Sequence, residues 1–150
     1  KLPDKKLYVA GNGPMMEEMQ RYVREHHMEN VKFLGYLQKD EMSEKFYQAK
    51  AVIMTSQCYE AFAMTIAEAY SYGVPVIAGR VGNMDGMVQD GITGVKFTYN
   101  SAEDLADKIS AFDAMDLSVL KKNARAFYAE RLRPEDNYQK LIRIYEDISK

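Results

Sequence analysis

Four short apolar runs, each closed by small turn residues, limit what this chain folds into more than any other feature. They are Leu7 to Ala10 (LYVA), Val31 to Leu34 (VKFL), Ala51 to Met54 (AVIM) and Val74 to Ala78 (VPVIA), followed by Gly11, Gly35, Thr55 and Gly79 respectively. Apolar runs of this length, bounded by turn signals, read as buried strands. Val95 to Phe97 is a weaker fifth. The segments between them read as helices. Pro14 suits the first turn of a helix running to His27, in which Met15, Met19, Tyr22 and Val23 form a face expected to pack on a sheet. Asp40 to Ala49 and Ala61 to Tyr72 follow, the second stopped by Gly73. Three more are expected at Ser101 to Ala114, Leu117 to Leu132 and Pro134 to Ile148. In the last, Tyr138, Leu141, Ile142, Tyr145 and Ile148 make an apolar stripe expected to pack into the core.

Strands alternating with helices through short loops define an α/β fold, a Rossmann-like parallel sheet with helices on both faces. No internal repeat or linker divides the 150 residues, so a single domain is expected. Ligands of such sheets bind beyond the carboxyl ends of the strands. The loops there are Gly11 to Pro14, Gly35 to Leu37, Thr55 to Ala63 and Gly79 to Gly86. Their glycine, serine and threonine content describes a cleft for a polar, phosphate-bearing ligand.

The chemistry concentrates in Ser56 to Gly73, SQCYEAFAMTIAEAYSYG. Glu60 precedes the helix and Glu68 lies within it. Eight helical residues span roughly 12 Å, so these carboxylates suit separate parts of one long ligand and cannot share a proton. Phe62 to Thr65 reads as the helix start, where free amides and the positive dipole end favour a diphosphate. Thr65 precedes Glu68 by one turn on the same face. A carboxylate there accepts two hydrogen bonds side by side, as a ribose diol requires.

Other chemistries find less support. The formal charge of −2 argues against polyanion binding, and the cluster of Lys121, Lys122, Arg125, Arg131 and Arg133 is interspersed with acids as a solvated face. Gly11, Asn12 and Gly13 begin a dinucleotide fingerprint, but Met16 stands where its third glycine belongs, so no nicotinamide or flavin cofactor is expected. No carboxylate pair suits a divalent ion, and His26 and His27 lack metal-ligand spacing; they read as cations at a helix C-terminus. Cys58 is alone and no apolar run is long enough to span a membrane, so a cytoplasmic location is expected.

With these residues in place, the chain resembles the nucleotide-sugar-binding C-terminal lobe of GT-B type retaining glycosyltransferases, the glycosyl transferases group 1 family. LYVAGNGP is similar to the family's strand with Gly-x-Gly-Pro, VKFLGYL to its next strand, and AVIMTSQCYEAFAMTIAEAYSYGVPVIAGRVGN to its Glu-x7-Glu signature with Gly-x-Pro-Val-Ile. DGITGVKF is similar to its closing segment. The resemblance implies that Glu68 holds the ribose hydroxyls and Glu60 faces the donor sugar in a catalytic role. It places backbone groups of Ala61, Phe62, Ala63, Met64 and Thr65 on sugar and diphosphate, and Gly35, Tyr36 and Leu37 beside the base. Gly11, Gly13 and Ser56 complete the donor-binding set. It implies no cofactor beyond the nucleotide diphosphate sugar, and transfer to an acceptor with retained anomeric configuration.

The departures from the family pattern are as specific. Ala61 and Ala63 stand where glycines are usual, Asn83 replaces another glycine, and Asp85 and Gly86 replace a Pro-Glu pair. The family's first strand and helix, with an Arg and a Lys for the diphosphate, and its acceptor-binding N-terminal lobe are not among these residues. The expectation is therefore a fragment of a two-lobed enzyme, inactive alone. Two other readings compete: a catalytically silent interaction domain, to which Ala61 and Ala63 point, and a sugar-nucleotide epimerase of related architecture.

Overall fold

A computed structural model describes residues 2–59 and 61–149. In chain order the elements are β1 (Leu7–Ala10), α1 (Met16–Glu25), β2 (Val31–Gly35), α2 (Lys39–Gln48), β3 (Val52–Met54), α3 (Met64–Ser71), β4 (Val76–Gly79), α4 (Gly82–Met87), β5 (Gly94–Phe97), α5 (Ala102–Asp113), α6 (Leu117–Arg131) and α7 (Pro134–Ile148). The α/β alternation and the parallel pairing are as the sequence predicts. The described strands form two sheets, β1-β2 and β3-β4-β5, within two compact units, Lys1–Lys45 and Phe46–Lys150.

In the first unit β1 pairs parallel with β2, Leu7 opposite Val31 and Val9 opposite Phe33. The register shifts between Val9 and Ala10, which sets Ala10 opposite Gly35. Helix α1 starts later than Pro14 suggests, because Met16 N donates to Gly13 O and a turn occupies that stretch. Its apolar face is not buried as expected: Met15, Met19 and Tyr22 are exposed and Val23 half-buried. His26 caps the helix, its ring on the Tyr22 carbonyl and stacked against the Tyr22 ring.

The second unit is built on β4. Val76, Ile77, Ala78 and Gly79 are all buried, and because strand side chains alternate in direction, both faces of the strand must be covered. On one face Ile77 joins Val95 and Phe97 of β5, Phe112 of α5 and Leu120 of α6, with Ile53, Leu105 and Ile109 packed around them. The parallel register explains this, since Ile53, Ile77 and Val95 stand in one row across the sheet. Ile66, Ala69 and Tyr70 of α3 are fully buried, and α3 packs on both β4 and α6.

Two glycines make this packing possible. Gly73 ends α3 at φ 67°, and a Cβ there would lie 3.3 Å from the Lys121 carbonyl of α6. Gly94 allows β5 to close on β4, for a Cβ at residue 94 would fall 1.8 Å from the Val76 carbonyl oxygen. Helices α5 and α6 are capped by side chains. Ser101 accepts from Asp104 N, and Asp116 accepts from Ser118 N and Val119 N. These bonds, led by that from the Ser118 hydroxyl, hold the Asp116 carboxyl below its usual pKa.

Helix α7 occupies the predicted span, with Pro134 in its first turn, but contains no buried residue. Tyr138, Leu141, Ile144, Tyr145 and Ile148 are exposed and Ile142 half-buried, so the stripe is not part of the core as expected. Helical periodicity identifies an apolar face without saying what covers it. Among the described residues no helix is long and apolar enough to cross a membrane.

Gly94→Ala forces a methyl group into the β4 backbone, where no rotamer change relieves it. The expected loss is about 3 kcal/mol or more of folding stability, measured by denaturant unfolding.

Candidate functional site

Two parts of the second unit hold most of the candidate residues: residues 55–59 and 61–63, and the helix α3 that follows them. The helix begins at Met64, after Ala63 as N-cap, which corrects the expected start at Ala61 or Phe62. In a helix running through residue 61, the Ala61 carbonyl would accept from the amide four residues on. Here it accepts instead from the side-chain amide of Asn83.

Among the described residues no side chain caps the α3 N-terminus, and the first turn of the helix contains no acidic residue, which leaves its positive dipole end without a carboxylate inside the helix itself. Ala63 is fully buried, as are Ile66, Ala69 and Tyr70, whereas Met64, Thr65 and Glu68 are exposed on the other side. Thr65 and Glu68 thus stand one turn apart on the outward face, as their spacing predicts. Ser71 Oγ donates to the Glu68 carbonyl at 2.7 Å and Arg125 donates to the Ser71 carbonyl at 2.7 Å, which closes the other end of the helix.

The buried side is fixed by a polar contact within the core. Tyr70 Oη lies 2.7 Å from Thr93 Oγ1 and 3.4 Å from the Met87 carbonyl, which accepts from it, while Gln89 N donates to Thr93 Oγ1. Burial pushes the Tyr70 phenol up to about 12, with the Thr93 bond opposing. It stays neutral and clamps α3 to the segment after α4.

Ala63 has φ −81°, so its methyl does not strain the backbone. Ala61 and Phe62 are exposed at the loop's end. Ser56 is half-buried, its hydroxyl accepting from Cys58 N at 3.4 Å, and Gln57 donates to Asn100 Oδ1 at 3.3 Å. Glu60 lies outside the described residues.

The remaining candidates belong to the first unit. Gly11 N donates to Gly35 O at 2.7 Å, joining the carboxyl ends of β1 and β2. Gly13 is exposed in the turn before α1. Tyr36 is 70% exposed and Leu37 half-buried, immediately after β2. The carboxylate of Glu41 caps α2 by accepting from Gln38 N at 2.8 Å.

The loop after β4 folds differently from expectation. It contains α4, which brings three features that the sequence alone did not disclose. Asn83 reaches Ala61, and Lys96 of β5 donates to Asp85 through both its backbone oxygen at 2.7 Å and Oδ1 at 2.9 Å. Arg80 stands 3.5 Å from Asp85 Oδ1 and donates to Asp90 Oδ2 at 3.0 Å. The visible signal was Asn83 in place of a glycine. What it bonds to depends on tertiary structure.

Residues 1–125 match the family described as glycosyl transferases group 1, and the chain belongs to that family. Among curated proteins it is 31% identical over 130 residues to the sulfoquinovosyl transferase SQD2 of Arabidopsis thaliana, covering 83% of this chain and 25% of that protein. It is 28% identical over 146 residues to the N-acetyl-alpha-D-glucosaminyl L-malate synthase of Bacillus anthracis, covering 97% of this chain and 37% of that one. Among solved structures, Anabaena Alr3699/HepE in complex with UDP superposes with a TM-score of 0.86 at 24% identity, over 97% of this chain and 42% of its own. The fold is that of GT-B glycosyltransferases. The chain thus spans a quarter of the first of these curated relatives and just over a third of the second.

Tyr70→Phe removes the hydroxyl between Thr93 and the Met87 carbonyl and leaves buried polar groups short of a partner. It is expected to lower folding stability by roughly 1–3 kcal/mol in denaturant unfolding.

Proposed function

We propose that this chain is the donor-binding, C-terminal lobe of a glycosyltransferase that moves a sugar from a nucleotide diphosphate sugar to an acceptor with its anomeric configuration retained. The observation that carries this reading is the uncapped, acid-free N-terminus of α3 with Thr65 and Glu68 one turn apart on its exposed face. The backbone of Ala61 to Thr65 takes the diphosphate and sugar. Glu68 takes the ribose diol. Glu60 acts at the sugar end, Gly35, Tyr36 and Leu37 border the base, and Gly11, Gly13 and Ser56 complete the donor contacts.

The chemistry asked of such a lobe is orientation and charge stabilisation. As the glycosidic bond to the diphosphate breaks, negative charge grows on the leaving oxygen, and fixed amide dipoles at a helix start stabilise it without reorganising. The complex of Anabaena Alr3699/HepE with UDP is consistent with a nucleotide-sugar donor for this fold. The acceptor and its binding residues belong to other parts of the enzyme, so the 150 residues alone are expected to bind donor weakly and to transfer nothing. Ala63 sits at negative φ, so its methyl is compatible with this helix start.

The test is calorimetric titration of the full-length protein with UDP, GDP and ADP and their sugar conjugates. One nucleotide should bind, and Glu68→Ala should weaken it roughly 10- to 100-fold, the range for hydrogen bonds to a charged group. Glu68 is exposed on a helix, so the variant should fold as the parent does. Binding unaffected by the substitution, or none by the parent, contradicts the reading. Inversion in the transfer product counts against retention.

A further inference from the structure

We propose that Asn83 is a positioning residue for the donor diphosphate, acting through the Ala61 carbonyl. The inference rests on the donor-binding reading above and adds a residue to it. Ala63, the N-cap of α3, makes no side-chain cap bond, and side chains from other segments bond to the described residues before it. Gln57 is tied to Asn100 in front, and the Ala61 carbonyl accepts from Asn83 behind. The second lies closer to the helix start, two residues before the N-cap.

Asn83 is itself held firmly. Its helix, α4, is fastened to β5 through Asp85, which accepts two bonds from Lys96, whose side chain is only 14% exposed. Arg80 pairs with both Asp85 and Asp90 across the same segment. A continuous path therefore runs from β5 through Lys96, Asp85 and Asn83 to Ala61. Its consequence is directional. With the Ala61 carbonyl turned to Asn83, the peptide that follows is fixed in orientation, and so are the amides that lead into the first turn of α3. A glycine at residue 83 has no side chain to make this bond. An alanine at residue 61 restricts the same peptide from the other side, so the two departures from the family pattern meet in one hydrogen bond.

The test compares Asn83→Asp and Asn83→Gln in the full-length protein, titrated with whichever of UDP, GDP and ADP the parent binds. Asp has the shape of Asn but presents an acceptor to an acceptor, whereas Gln keeps a donor amide. Asn83→Asp should weaken nucleotide binding about fivefold to tenfold, the equivalent of one lost hydrogen bond, with an unchanged melting temperature because the residue is exposed. Asn83→Gln should recover most of that affinity. Unchanged affinity in Asn83→Asp, equal losses in both variants, or a loss that follows a fallen melting temperature overturns the proposal. If the parent binds none of the three nucleotides, the donor-binding reading fails first, which separates the two outcomes.

Discussion

Strand β4 shows no side chain to solvent, and the second unit is arranged around satisfying that condition. A strand buried on both faces needs neighbours on both edges and covers above and below. The edges are β3 and β5, in parallel register. The face centred on Ile77 is closed by α5 and α6, and α3 packs on the strand as well. The closeness of β5 is tolerated only because residue 94 has no Cβ, and at residue 73 a Cβ would stand 3.3 Å from the α6 backbone. The apolar core thereby fixes the position of α3, whose start is the candidate anion site.

Burial and chemistry are divided by face along α3. Ala63, Ile66, Ala69 and Tyr70 turn inward; Met64, Thr65 and Glu68 turn outward. Fixed placement of the outward groups follows from the inward ones, with Tyr70 hydrogen-bonded in the core and the far end closed by Arg125 on Ser71. In the proposed reading, a helix start held in this way presents dipoles already aimed at the charge that grows on the leaving group, where electrostatic stabilisation is most effective.

Most of the strands could be read from the sequence because apolar runs closed by glycine leave few alternatives: β1 was predicted to the residue, and β2 to β5 within two residues at either end. The helices were legible where caps and periodicity agreed, as in α5 with Ser101 and α7 with Pro134. Helix α4 was not, because GNMDGM holds two glycines and has little propensity of its own; it is fixed by the Lys96 bonds to Asp85, which are tertiary. The faces of α1 and α7 were legible as apolar but were wrongly assigned to the core, since periodicity carries no information about the partner. At the candidate site, Thr65 and Glu68 share a face as their spacing required. The start of α3 was misplaced because Ala61 and Phe62 suit a helix locally, while the Ala61 carbonyl is taken by a residue 22 positions away. The family signature drew attention to this stretch, and its glycine substitutions marked where the local backbone departs from the family pattern.

A structure of the full-length protein bound to its nucleoside diphosphate tests the central claim most directly. The account predicts diphosphate oxygens within hydrogen-bond distance of the amides at the start of α3, and both ribose hydroxyls on the Glu68 carboxylate. A nucleotide bound elsewhere, or one seated there with its ribose away from Glu68, would contradict it.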